Sequence, residues 1–543
     1  SVSWLGDVYK RQLHYRGIKL SVFFMIKKLS KIEYILFSLL CIVSVFAFSN
    51  SMTDTYIVPK WCYTILVFVL YLIVISIKSL YNKILNFNVL TMSYIIVVVC
   101  TFQALYGISQ WLQLVRFDNK YGITGSFDNP AGFAVSLCIG LPFILLCIKS
   151  ISSRFWIFVM QLLALLFIFA IVISESRSGM IGGMAIICVE LYKRLPIRIN
   201  FKVIITCCLF ISLLFGSYFL KKDSADGRLL IWNCSWRMII DSPMYGHGFD
   251  AFRAHYMDYQ ANYLSQYPNN EYAMLADNVI SPFNEYLNVA LSCGFLGVLI
   301  LVFGVLFLIV CYYKDYKYEK RVALLSLLGI AVFSMFSYPL KYPFVWIVMY
   351  FDVYVILRGS FIWVIPSLVK RILCVVAIIA GMVVFYKLCM RIDAEYKWNA
   401  IAYFPTNENV RAYKDLMPIL GDDPYFLYNY AVALYGKGCL EESLNVALQC
   451  RTYWADYDLE LLLGDIYLDK NEHIEAESHY RKASFMCPSR FTPLYKIYSL
   501  YRRIGDGKEA TAMAQLILEK PIKIQSNTID FIKAQVRRDL ELK

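Results

Sequence analysis

The feature that most constrains this chain is the recurrence of long apolar runs. Windows of roughly 17–25 apolar residues, long enough to cross the hydrocarbon core of a bilayer as a helix, fall near 32–49, 62–78, 88–108, 131–148, 155–173, 178–192, 202–219, 285–313, 322–338, 343–358 and 371–390. Once water is gone, each run must satisfy its own backbone N–H and C=O groups, and a helix does this within the segment. The expected fold class is therefore all-α, a polytopic membrane helix bundle of about eleven spans. Composition agrees: hydrophobic residues make up 59% of the chain and charged residues 17%, and the mean hydropathy is +0.54. A soluble globular domain is excluded.

The placement of Lys and Arg predicts the orientation. Lys27/Lys28/Lys31, Lys78/Lys83, Lys149/Arg154, Lys193/Arg194/Arg198/Lys202, Lys314/Lys317/Lys320/Arg321 and Arg358/Lys370/Arg371 mark alternate connections as cytoplasmic. With eleven crossings the N-terminus is cytoplasmic, and the long loop 220–284 and everything after about residue 391 lie on the outer side. The net charge of +13 is thus spread over short loops, and no nucleic-acid partner is expected. Most of the sixteen cysteines sit within apolar runs, where cysteine behaves as a small hydrophobe. No metal-ligand spacing occurs, so neither metal nor cofactor is expected.

The first Met is Met25, followed by Ile26-Lys27-Lys28 and an apolar run, so a native start is expected there. Ser1–Gln12 reads as translated sequencing adaptor, and residues 1–24 are set aside. A membrane domain is expected over 25–390, interrupted by the loop 220–284, with a different kind of domain over 391–543.

From about residue 424 the pattern becomes amphipathic with a period of about 33–34 residues, the mark of an α-solenoid. Gly464, Tyr467, Ala476, Tyr480, Ala483 and Pro488 fit the tetratricopeptide pattern. Ala431, Leu434, Gly438, Ser443 and Ala447 occupy equivalent positions in the preceding unit, and Tyr498, Tyr501, Gly505, Ala510 and Ala514 in the following one. Residues 391–423 are expected to add a degenerate capping pair. Arrays of this kind bind peptides or proteins, so a protein partner is expected on this domain.

Five short motifs punctuate the membrane half: Gly125-Ser126-Phe127-Asp128-Asn129-Pro130-Ala131-Gly132-Phe133-Ala134, Ser174-Glu175-Ser176-Arg177-Ser178-Gly179, Gly227-Arg228-Leu229-Leu230-Ile231-Trp232, Pro243-Met244-Tyr245-Gly246-His247-Gly248, and Pro282-Phe283-Asn284-Glu285-Tyr286-Leu287 followed by Gly294 and Gly297. In order, spacing and position they resemble the O-antigen ligase/polymerase family. The resemblance implies a GT-C-like membrane enzyme in the bacterial inner membrane, with the C-terminal domain in the periplasm. It implies transfer of a glycan from undecaprenyl pyrophosphate to an acceptor hydroxyl on the outer face. The acceptor is a lipid A core sugar, a growing polysaccharide, or a protein Ser or Thr, and the sequence does not separate ligase, polymerase and O-oligosaccharyltransferase.

The residues allow a physical reading of that chemistry. A pyrophosphate leaving group needs cations that stay charged in a low dielectric, and the planar guanidinium fork suits it. Arg177 at the outer end of a helix, Arg228 where the long loop begins, and Arg253 further along it are the expected phosphate ligands, with Asn129 and Asn284 completing the substrate-binding set. The family's His of the His-Asn element is replaced here by Phe283, and a phenyl ring accepts no proton. Glu285, Asp277 and His255 are therefore the expected general acid or base. Glu285 at a helix N-terminus equally suits the helix dipole, and the aromatic stretch Phe249–Tyr267 suits either sugar stacking or a membrane-surface helix. The rival reading is a transporter, or a membrane-anchored repeat scaffold for envelope polysaccharide assembly. No matching pair of broken helices supports transport.

Overall fold

The computed structural model describes residues 28–81, 87–115, 122–194, 219, 222–268, 270–360, 366–402 and 409–541, every regular element of which is helical. Seven helices are long and apolar enough to cross a membrane: α1 (Lys28–Phe46), α2 (Ile57–Tyr81), α3 (Val89–Trp111), α4 (Pro130–Ser150), α5 (Arg154–Ile173), α9 (Glu285–Lys314) and α12 (Ser367–Ala402). Between them lie α6 (Arg177–Arg194), α7 (Lys222–Asp241), α8 (Ala251–Gln266), α10 (Tyr318–Ser334) and α11 (Pro343–Leu357). Ten of the eleven expected spans thus coincide with helices; 202–219 lies, except for Phe219, outside the described residues. The expected span 322–338 stops early, because α10 ends at Ser334 and a single 3-10 turn, Pro339–Lys341, leads into α11. The protein is a multi-pass helical membrane protein. Apolar side chains on α9 face outward, with Ile300 at 72% and Phe303 at 65% exposure, a surface that only lipid suits.

The chain forms two compact units: Ser1–Phe210, Val305–Phe333 and Pro339–Glu395 in the first; Ile211–Gly304, Ser334–Tyr338 and Tyr396–Lys543 in the second. The division departs from chain order, since α7, α8 and the start of α9 fall in the same unit as the C-terminal helices.

In the first unit α4 is the central element, packed against α3, α5, α6 and α11. Small residues permit the close approaches. A β-carbon on Gly140 would lie 2.5 Å from Cys100 Sγ, and one on Gly179 would lie 2.5 Å from Ala134 Cβ. Nearly every α4 residue from Gly132 to Cys147 is buried.

In the second unit the C-terminal helices are α13 (Asn409–Leu420), α14 (Pro424–Gly436), α15 (Leu440–Tyr453), α16 (Tyr457–Asp469), α17 (His473–Met486), α18 (Thr492–Ile504), α19 (Gly507–Glu519) and α20 (Asn527–Glu541). They pair successively, α14 with α15, α16 with α17 and α18 with α19. Asp423, Asp456 and Asp506 cap α14, α16 and α19 through side-chain bonds to backbone N–H groups. The Tyr480 ring fills the place of a Gly464 side chain, 2.4 Å from where a β-carbon would stand. Helix α8 lies against α15 and α17. One core joins Phe252, Tyr256, Met257 and Leu264 of α8 to Tyr457, Ala483 and Met486 of the C-terminal helices.

Candidate functional site

Three of the five motifs meet in the second unit. Helix α9 is broken at Gly294, whose backbone (φ 62°, ψ −159°) is not helical. The segment Pro243–Gly248 fills the break. His247 N–H donates to Leu291 O at 2.8 Å and Gly248 N–H to Ser292 O at 3.0 Å, satisfying carbonyls that the interrupted helix leaves without partners. In return Phe295 N–H donates to Pro243 O at 2.7 Å and Leu296 N–H to Met244 O at 3.3 Å. The two glycine motifs are therefore one backbone joint, and it fixes the loop to α9.

At the start of α9, Asn284 Oδ1 accepts from the N–H groups of Tyr286 and Leu287 at 2.9 and 3.1 Å, an N-cap that fixes where the helix begins. Glu285 follows, buried at 8% exposure, with Asn288 Nδ2 donating to its Oε2 at 3.4 Å. A carboxylate in a first turn is favoured by the helix dipole. Phe283 sits just before the cap with φ 53°, a left-handed conformation that costs a bulky residue about 1–3 kcal/mol. Its ring lies 5.4 Å from that of Tyr338 and 5.2 Å beneath the Arg228 guanidinium. Trp232, one turn beyond Arg228 on α7, donates its indole N–H to Pro282 O at 3.0 Å. Arg228, Phe283, Asn284 and Glu285 are thus gathered at one end of α9.

The other expected residues of this unit are held elsewhere. Asp277 pairs with Arg490 at 2.7 Å, and its neighbour Asn278 donates to Asp456, tying this segment to the C-terminal helices. The Arg253 guanidinium stacks 4.6 Å over Tyr425 and 6.0 Å from Trp454, and pairs with Asp250 at 3.8 Å. The ring of His255 is 6.0 Å from that of His247. Burial, then the neighbouring His247, holds the His255 pKa below its ordinary value against the pull of Asp258, so the imidazole is neutral near pH 7. The second ring, His247, bonds Met238 O through Nε2 at 2.7 Å.

In the first unit, Arg177 opens α6 two residues after Glu175, another non-glycine residue with positive φ (52°). Ser176 Oγ accepts from Gly179 N–H at 3.3 Å and caps the helix. The motif at 125–134 has a packing role at almost every position. Gln110 grips Gly125 at two points, through N–H at 2.8 Å and C=O at 2.9 Å. Ser126 Oγ donates to Val45 O at 2.6 Å. Asp128 accepts from Lys341 Nζ at 2.8 Å and from Tyr342 Oη at 3.0 Å. Asn129 caps α4 through Ala131 and Gly132 N–H, and its Nδ2 donates to Tyr342 Oη at 2.7 Å. Gly132 is where the Tyr342 ring rests.

Sequence reasoning missed Tyr342, Trp232 and Tyr338. Tyr338 and Tyr342 flank the short turn Pro339–Lys341, a polar and aromatic interruption between two apolar runs. Among the described residues no three His, Cys, Asp or Glu side chains converge to hold a metal ion.

Residues 162–302 match the sequence model of the O-antigen ligase family. The matched stretch contains Arg177, Arg228, Arg253, His255, Asp277, Asn284 and Glu285, and Asn129 lies outside it. The matched stretch holds the broken helix and its joint. No curated protein matches the chain.

Proposed function

We propose that this chain, through its O-antigen ligase segment at 162–302, transfers a glycan from a polyprenyl pyrophosphate to an acceptor hydroxyl at the outer surface of a bacterial inner membrane. The acceptor oxygen attacks the anomeric carbon, the bond from that carbon to the pyrophosphate oxygen breaks, and the acceptor's proton passes to a base. Polyprenyl pyrophosphate leaves.

The observation that carries the reading is the Arg228 guanidinium resting on the Phe283 ring beside Asn284 and Glu285. A guanidinium held on an aromatic face keeps its full charge. Its planar fork matches phosphate oxygens. Arg228 is the proposed ligand of the leaving group and Glu285 the proposed base, with His255 the second choice. Arg177 of the first unit is proposed as a phosphate ligand in its own right. Asp277 and Arg253, joined to the C-terminal helices, are assigned to holding the loop, and Asn284 and Asn129 to capping α9 and α4.

The paired helices of 424–519 are read as tetratricopeptide-like repeats that act on the chain's own loop. Gln260 Nε2 of α8 donates to Met486 O at 2.6 Å and Arg451 pairs with Asp258. These contacts support a scaffold for α8.

The test is genetic. Deletion is expected to remove one surface glycan or shorten its chains on a gel, and the missing product identifies the acceptor. Restoration by Arg228→Ala at wild-type membrane levels overturns the role given to Arg228.

A further inference from the structure

Helices α7 and α8 enclose a cleft of about 310 Å³, at the lower end of the range for small-molecule sites. Its walls carry an unusual mixture. The Arg237 guanidinium lies 4.5 Å from the Tyr263 ring and 5.6 Å from the Tyr267 ring, two rings tilted 43° to each other. Tyr259 Oη donates to Asp241 Oδ2 at 2.7 Å across the cleft. Asn262 and Gln266, one turn apart on α8, add two side-chain amides to the lining. The buried Tyr263 is held in place by Asn270 Nδ2, which donates to its hydroxyl at 3.0 Å.

The chemistry matches one ligand class. A sugar presents rows of hydroxyls that both donate and accept, beside an apolar face of C–H bonds. Amides supply donor and acceptor together, a carboxylate accepts twice, a guanidinium donates in a planar fork, and the half-buried Tyr259 ring in the lining offers an apolar surface to the C–H face. The one Arg is matched by one Asp, so the cleft carries no net charge from these two to select a phosphate or an anionic lipid headgroup.

Arg237 is nine residues beyond Arg228, which on an α-helix is about 14 Å along the axis and half a turn round it. The cleft therefore lies on the opposite side of α7 from the Arg228 and Phe283 stack.

We propose that the cleft between α7 and α8 is a second glycan-binding subsite, taking a neutral oligosaccharide segment remote from the bond being formed. It rests on the proposal that this chain handles a glycan. Binding energy gained far from the reacting centre holds a long substrate in place without entering the chemical step.

The full chain in detergent is titrated with oligosaccharide released by mild acid from the producing cell's own surface polysaccharide, followed by saturation-transfer NMR. The variants are Asn262→Ala, Asp241→Asn and the milder Tyr259→Phe, with Arg228→Ala as comparison. Saturable binding is expected for the wild type and Arg228→Ala, weakened roughly fivefold or more in Asn262→Ala and Asp241→Asn, as loss of about one good hydrogen bond predicts, and less in Tyr259→Phe. Unchanged binding in all three cleft variants overturns the proposal. So does a cleft that instead governs binding to phosphatidylglycerol vesicles, which assigns it to the membrane surface. Transfer that survives in Arg228→Ala while cleft variants lose oligosaccharide leaves the subsite standing and removes the role given to Arg228.

Discussion

The carbonyl oxygen of Met244 stands 2.4 Å from where a β-carbon on Gly294 would be. Two stretches about fifty residues apart in sequence meet here backbone to backbone, and only glycine leaves room. Gly294 also has φ 62°, where any β-carbon is strained. Gly294→Ala is expected to destabilise the protein by about 2–4 kcal/mol, the sum of backbone strain and overpacking. It lowers the melting temperature in detergent and reduces glycan transfer together. Gly304→Ala, further along α9 where nothing lies within 4 Å, is the control and leaves both unchanged.

The Phe283 ring gives Arg228 its seat at 5.2 Å. Phe283→Leu removes the ring but keeps an apolar side chain. Loss of about 1 kcal/mol of cation–π attraction is expected to raise the KM for the lipid-linked donor roughly fivefold. Phe283→Tyr keeps the ring and stays near wild type. An unchanged donor KM in Phe283→Leu separates the ring from donor binding.

Much of this arrangement is readable in the sequence, and the reason is physical. A bilayer imposes a length on each span, so helices such as α3, α4 and α5 stand out as uninterrupted apolar runs. The break in α9 does not, because Gly294 sits within an apolar stretch that reads as continuous helix, and its φ is set by Pro243–Gly248 far away. Arg228 and Glu285 stand out in the sequence by their chemistry and lie at one end of α9. Asp277 and Arg253 stand out on the same grounds, but their partners Arg490, Tyr425 and Trp454 lie far downstream, where no local pattern reports them. Asn129 and Asn284 carried motif signal because a helix start requires a cap.

Glu460 is fully buried against three nitrogen partners, Arg451 Nε at 2.8 Å, Lys482 Nζ at 2.9 Å and His479 Nδ1 at 2.6 Å. Burial alone would push its pKa up; the His479 hydrogen bond and the charges of Lys482 and Arg451 overcome that and bring it to about 2, from an ordinary 4.5. Because the folded value lies below the unfolded one, the carboxylate's contribution is complete above about pH 4.5 and is lost as pH falls towards 2. It amounts to about 3 kcal/mol. Glu460→Gln is expected to lose a similar amount at neutral pH and to show a shallower fall in stability between pH 4.5 and 2 than the wild type, as read by thermal melting across pH.

Tyr342 serves Asp128 and Asn129 with one hydroxyl. Tyr342→Phe leaves its ring on Gly132 but removes that hydroxyl, at a cost of about 1–3 kcal/mol for polar groups left without a partner. A lower melting temperature with the donor KM unchanged is expected. A raised donor KM at unchanged stability instead moves the 125–134 motif from packing into substrate binding.

The role proposed for Arg228 is to neutralise the leaving pyrophosphate. Its most direct test is transfer of glycan from polyprenyl pyrophosphate by membranes carrying Arg228→Ala, Arg228→Lys or wild-type chain at matched abundance. Loss of transfer by a hundredfold or more in Arg228→Ala, as removal of about 3 kcal/mol of transition-state stabilisation gives, with partial recovery in Arg228→Lys, is the predicted result. Wild-type rates in Arg228→Ala contradict that role.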